Sequence, residues 1–247
     1  MIENRFKAGL AARRVQHGVW CTIRDPLVAE MLALCGYDWL MFDTEHSPMD
    51  PVGVLPMLQA VAPYPASAIV RPGSLNLAEI KKLLDIGAQT ILVPHVQTAE
   101  EAALAVAAVT YPPEGLRGVS GITRATRFGT IPGYHKRARD EICLIVQVET
   151  QEAVAQIETI AAVPGIDAIF IGPADLAASL GYPGEPGHPA VTEAVLAAIR
   201  RIAAAGKPAG ILTLDETVHA AAIEAGALFV SRDLDMAALR RGLSAGR

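Results

Sequence analysis

The feature that most constrains this chain is an alternation kept up from end to end. Short apolar runs rich in β-branched residues are separated by Ala- and Leu-rich segments of helical period. The runs lie at 16–23, 38–43, 67–71, 90–94, 142–149, 167–172, 208–212 and 227–231. Each is compact and mostly apolar, the pattern of a parallel strand covered on both faces. The segments near 26–35, 51–61, Asn76–Ile86, 98–108, 151–161, 190–205, 215–225 and 235–245 predict helices. In Asn76–Ile86, Leu77, Ile80, Leu83 and Leu84 form one stripe, and Gly87 follows as a stop signal. Eight strand–helix units in 247 residues predict a (β/α)8 TIM barrel, with 1–247 as one domain. An open doubly wound sheet would have fewer strands and often a glycine fingerprint after the first. The turn here is Arg24-Asp25-Pro26. The irregular stretches 110–135 and 181–189 fall where a barrel carries its catalytic loops.

Composition narrows the function. Hydrophobic residues make up 51% and aromatics 5%, so the core is aliphatic. The formal charge of −5 gives no support for a nucleic-acid or acidic-membrane partner. The opening MIENRFKAGLAARRVQ lacks the apolar stretch of a leader, and every long apolar stretch is broken by Pro, Gly or charge. A cytoplasmic protein without a membrane span is expected. Cys21, Cys35 and Cys143 are widely spaced and read as buried, reduced thiols.

In a barrel, polar residues at the strand C-termini converge on one site. Here these are Asp43-Thr44-Glu45-His46, Arg71, Pro94-His95, Gln147-Val148-Glu149 and Gly172-Pro173-Ala174-Asp175. Glu149 and Asp175, on adjacent strands, suit a hard divalent cation such as Mg2+ or Mn2+; the alternative is a pair of solvated acids. Arg71 suits a carboxylate or a developing enolate, or else a structural ion pair. His46 suits a general base oriented by Asp43, or a satisfied polar group. Strand alternation is taken to turn Glu45 away as a structural residue. The Gly172–Asp175 turn opens a helix whose free N–H groups suit a small carboxylate. The loops after strands seven and eight, Thr213-Leu214-Asp215 and Ser231-Arg232-Asp233, lack the glycines of a phosphate site, so an unphosphorylated substrate is expected. None of the lysines, Lys7, Lys81, Lys82, Lys136 and Lys207, sits on a predicted strand, which favours a metal over a Schiff base as electron sink.

Phe42-Asp43-Thr44-Glu45-His46, Val70-Arg71-Pro72, Tyr111–Gly118, Val146–Thr150 and Ile171–Leu176 together resemble the metal-dependent (class II) pyruvate aldolases. That family includes the 4-hydroxy-2-oxoheptanedioate and 2-keto-3-deoxy-sugar-acid aldolases, and the likeness spans nearly the whole chain. It implies a barrel whose C-terminal helix swaps onto a neighbouring subunit, in a homohexamer built as a trimer of dimers. It implies that Glu149 and Asp175 hold Mg2+, Mn2+ or Co2+, which chelates pyruvate or hydroxypyruvate. Arg71 would contact the keto oxygen, and Gly172, Pro173 and Ala174 would grip the carboxylate. His46 with Asp43 would move the proton through metal-bound water. Gln147 and Leu212 would line the pocket, and Asp85 would reach in from a neighbouring subunit. The reaction implied is reversible cleavage of a 4-hydroxy-2-oxo acid through a metal-stabilised enolate. Departures from the family pattern fall at Cys21–Pro26, His95 and Ser120–Phe128, where an acceptor aldehyde would touch. Two alternatives stand beside it. One is a related metal-dependent lyase acting on acyl-CoA esters, with Arg117, Arg124 and Arg127 for the phosphates. The other is a non-catalytic barrel that binds oxo acids.

Overall fold

The computed structural model describes residues 3–245; of the 1–247 expected as one domain, positions 1, 2, 246 and 247 lie outside the described residues. In chain order the elements are α1 Arg5–Ala11, β1 Gln16–Cys21, α2 Pro26–Ala33, β2 Trp39–Asp43, α3 Pro51–Val61, β3 Ser67–Arg71, α4 Leu77–Asp85, β4 Thr90–Val93, α5 Ala99–Val109 and α6 Tyr134–Glu141. There follow β5 Cys143–Val148, α7 Gln151–Ala155, α8 Ile157–Ala161, β6 Ala168–Ile171, α9 Pro173–Ser179, α10 Pro189–Ala204, β7 Ala209–Leu212, α11 Glu216–Glu224, β8 Ala227–Leu234 and α12 Asp235–Ser244. The eight strands close in the order β1 to β8, each parallel to its neighbours, so the expected barrel is present.

Three details differ from the expected elements, the first being α6, a helix over Tyr134–Glu141 that was not predicted. The 151–161 helix is two short helices broken at Gln156. The N-terminal segment adds α1, capped by the Asn4 side chain. Its role is to close the barrel's lower end. Phe6 of α1 packs edge-on against Trp39 and Phe229, with ring centroids 6.3 and 5.4 Å away. The strand positions facing this plug are trimmed: a Cβ on Gly18 would lie 2.1 Å from the Trp39 ring, and one on Gly210 2.2 Å from Phe229. Leu40, Phe42 and Val70 point outward to the helices, whereas Trp39, Met41 and Ile69 fill the lumen. The same two-residue period carries the inward rows up to Asp43, Arg71, Gln147 and Glu149. A lumen row that is apolar below and polar at its top is what places the site at the strand C-termini. Cys21 and Cys143 are buried as expected, but Cys35, beyond the end of α2, is exposed.

Candidate active site

Asp43 and Arg71 are register partners on β2 and β3, so their side chains rise side by side. Arg71 Nε donates to Asp43 Oδ1 at 2.8 Å and Nη2 to Oδ2 at 2.6 Å, a two-pronged pair with both residues buried. Trp20 Nε1 donates to Asp43 Oδ2 at 3.1 Å, and the Trp20 ring lies 4.8 Å from the guanidinium carbon. Burial pushes the Asp43 carboxyl up, but the Arg71 bonds and charge outweigh it and hold the group below its ordinary range. The third nitrogen, Nη1, lies 2.7 Å from Glu45 Oε2; this is a charge contact without hydrogen-bond alignment. Arg71 is thereby fixed between two carboxylates.

This geometry corrects two expectations. Asp43 does not orient the His46 ring: its contact with His46 is through the backbone N–H, at 3.4 Å. The exposed ring instead has Nε2 3.9 Å from Glu45 Oε2. Glu45 does not turn away either. β2 ends at Asp43, so strand alternation no longer governs Glu45, whose carboxylate faces Arg71 while the His46 ring stands exposed beside it.

Glu149 is buried at the end of β5. Its Oε1 accepts from the His95 N–H at 2.9 Å, and its Oε2 accepts a very short bond from Gln147 Nε2. Burial raises the Glu149 carboxyl above the ordinary range, and Asp175 and Glu45 push the same way. Burial also raises Glu45, with Asp43 and Asp175 adding to it. Several acids thus crowd one place with Arg71 as the buried cation among them, an electrostatic arrangement that a dication would relieve. Gln147 Oε1 is buried without a partner. A Cβ on Gly172 would lie 2.4 Å from Glu149 Oε2 and 2.8 Å from Gln147 Nε2, so only glycine leaves this cradle open. Asp175 sits exposed in the first turn of α9. Among the described residues no three His, Cys, Asp or Glu side chains form a ready metal cage. Two carboxylates, with substrate and water completing the shell, fit a hard cation and not a structural zinc.

The sequence reading did not single out Trp20 as a site residue, and it named His95 as a strand-end residue and a departure from the family pattern without giving it a role. His95 holds a left-handed φ of 54° at the end of β4, and its ring Nδ1 lies 3.7 Å from Glu149 Oε1. A non-glycine residue at a strained conformation beside a buried acid is a signal that only coordinates carry. Leu212 ends β7 on the lumen side. Asp85 lies on the last turn of α4, which runs back toward the closed end, and pairs with Arg117 at 3.5 Å. Within one subunit it does not join the mouth. Arg117 is buried 4.4 Å from the Tyr111 ring centroid. Arg124 donates to the carbonyls of Ile86 and Leu58.

No helix among the described residues is long and apolar enough to cross a membrane. The sequence matches the profile of the HpcH/HpaI aldolase/citrate lyase family over residues 16–240. It is 56% identical over 245 residues to a hydroxypyruvate/pyruvate aldolase of Sagittula stellata, covering 99% of this chain and 97% of the relative. It is 49% identical to a 4-hydroxy-2-oxo-heptane-1,7-dioate aldolase of Salmonella arizonae, covering 99% and 93%. The crystal structure of a family protein from Burkholderia cenocepacia superposes with a TM-score of 0.93 at 37% identity, covering 97% and 96%. With a closed barrel, an acid-and-arginine mouth and likeness along its whole length, the chain belongs to the HpcH/HpaI aldolase/citrate lyase family.

Proposed function

We propose that the protein is a cytoplasmic, divalent-metal-dependent carbon–carbon lyase that reversibly cleaves a 4-hydroxy-2-oxo acid to pyruvate, or hydroxypyruvate, and an aldehyde. The observation that carries this reading is the buried Glu149 carboxylate beside the orphaned Gln147 amide oxygen, facing an arginine locked by Asp43. Glu149 and Asp175 hold the ion, whose charge favours an enolate developing on the donor. Arg71 is aimed at the keto oxygen and is pre-oriented by Asp43 and Trp20, so its donor geometry needs no reorganisation as charge builds there. The first-turn N–H groups that follow Gly172 hold the donor carboxylate, with Pro173 and Ala174 against it. Leu212 and Gln147 bound the donor on the lumen side. His46, free at the rim, takes the C4 hydroxyl proton as the C3–C4 bond breaks. The electron pair of that bond passes to the C2 oxygen, and a proton then returns to C3.

Arg117 is buried against Tyr111 and Arg124 donates within the subunit, so of the three arginines only Arg127 is exposed, which weighs against an acyl-CoA phosphate site. The assembly proposed is a homohexamer, a trimer of dimers with exchanged C-terminal helices. Met236, Leu239 and Leu243 form an exposed stripe on α12, and Leu27 and Met31 of α2, with Leu34 at its C-cap, form another. Both repeat at helical spacing, and neither is covered within one subunit. In that assembly Asp85 serves a neighbour's site.

Exchange of the pyruvate methyl protons in D2O tests the function. Exchange should stop on chelation and return with Mg2+, Mn2+ or Co2+. Exchange that survives chelation, or a covalent adduct trapped by borohydride, overturns the metal mechanism; no exchange under any condition supports the non-catalytic barrel.

A further inference from the structure

Beside the mouth, outside β7 and between α10 and α11, lies a cavity of about 350 Å3. It shares Pro173, Ala174 and Leu212 with the candidate site. Its remaining wall is largely apolar, with Val195, Ile211 and Val218 at the back and Leu214 at the rim. No lysine, arginine or histidine lines it, and its one charged group is Asp215. That carboxylate is committed to capping α11, accepting from the N–H groups of Thr217 and Val218 at 2.7 and 3.1 Å.

The roof is the 181–189 loop, which contributes Pro186 and Gly187. Despite its Gly- and Pro-rich sequence the loop is tied down. The Tyr182 and His188 rings stack 3.8 Å apart at 17°. The Tyr182 N–H donates to the Ala177 carbonyl at 2.8 Å, and the His188 N–H to that of Glu185 at 3.0 Å. The cavity is therefore preformed and within the size range of small-molecule pockets.

We propose that this cavity receives the tail of the acceptor aldehyde, and that the tail is an uncharged hydrocarbon chain and not one ending in a carboxylate. The assignment rests on the aldolase reading above. Continuity with the Gly172–Asp175 turn gives a chain leaving the reacting carbon a way in. An apolar chain displaces water from aliphatic walls. A terminal carboxylate would leave water for apolar walls with no cation to balance it, and the exposed Asp215 at the edge carries the same sign of charge.

The test is the aldol addition of pyruvate, with Mg2+ or Mn2+, to acetaldehyde, butanal, pentanal, hexanal and 4-oxobutanoate, with pyruvate proton exchange measured in parallel. From butanal to hexanal kcat/KM should rise about three- to fourfold per methylene, the fold-change corresponding to ~0.8 kcal/mol per buried CH2. Hexanal should exceed 4-oxobutanoate at least about tenfold. Val218→Phe, which fills the cavity, should flatten the series while acetaldehyde addition and pyruvate exchange stay unchanged. Leu214→Glu at the exposed rim should depress the long alkanals, and it keeps the test available should the first variant fold poorly. Intact exchange with a flat wild-type series, or a series unchanged by both substitutions, overturns the cavity's role alone. Loss of exchange in the wild type overturns the aldolase reading and the cavity's role with it.

Discussion

Arg71 shows how few alternatives one side chain has here. Three of its nitrogens face two carboxylates, and its flat face lies on Trp20. An ammonium carries the charge but cannot span both oxygens of Asp43. Arg71→Lys should therefore lower kcat/KM by about 10²–10³-fold, the loss typical of one transition-state donor. Circular dichroism should show an unchanged fold. Glu149 gives a second prediction, with its sign set by burial. A carboxyl raised in the folded state contributes stability below its unfolded pKa and loses it as pH rises through the folded value. Glu45 behaves the same way, and Asp43, held low, loses its contribution only as pH falls through its folded value. The stability that Glu149 and Glu45 take from metal-free protein should thus grow from mildly acidic to neutral pH, while His219, held low by burial, loses its contribution as pH falls. Glu149→Gln should raise the neutral-pH melting temperature of metal-free protein while abolishing metal binding. Metal binding should also release protons at mildly acidic pH, seen as a buffer-dependent heat in calorimetry.

At the scale of elements, the junction between β6 and α9 is the most exacting. Gly172→Ala would push a methyl into Glu149 and Gln147. We expect a loss of metal affinity of about 10–100-fold, the range seen when groups supporting a metal ligand are disturbed, with little change in melting temperature. Calorimetric titration with Mn2+ measures it. The strands were legible because each is a continuous apolar run with a distinct boundary. Asn76, at the edge of the predicted helix, indeed caps α4. Two helices were not legible, for different reasons. In α1 the apolar residues Phe6 and Leu10 are too few to show a period, and their worth comes from a plug made with distant aromatics. In α6 the sequence YHKRARDE is almost entirely polar, so there is no stripe to read. The gathering of Asp43, Arg71, Gln147 and Glu149 at the strand ends was legible, because strand ends are. Their pairing was not: Asp43 has a neighbour three residues on and another 28 residues on, and only sheet register shows that the distant one, Arg71, takes its carboxylate.

For the whole molecule, the decisive surface is the pair of uncovered stripes on α12 and α2. Asp235 fixes where α12 departs, accepting from the N–H groups of Thr22 and Ile23 at 2.8 Å each. The helix then runs on with its apolar side bare. If the proposed hexamer forms through these stripes, Leu239→Asp should shift it to smaller species by light scattering. It should also lower the melting temperature, since burying a leucine contributes about 1.5–3 kcal/mol. In the proposed hexamer the activity lost with dissociation should exceed the effect of any one contact, because Asp85, proposed to serve a neighbour's site, would leave it at the same time.

The aromatic plug under the barrel sets the traffic. With Phe6, Trp39 and Phe229 closing the lower end and Met41 and Ile69 filling the lumen above them, the site is reached from the mouth alone among the described residues. In the proposed reaction a donor held by Glu149, Asp175 and Arg71 would lie beneath an acceptor that extends toward the rim. Pyruvate is then first in and last out. In the cleavage direction, pyruvate should inhibit competitively against the oxo acid and the aldehyde noncompetitively, so the order of departure is written in the floor of the barrel and not in its catalytic groups.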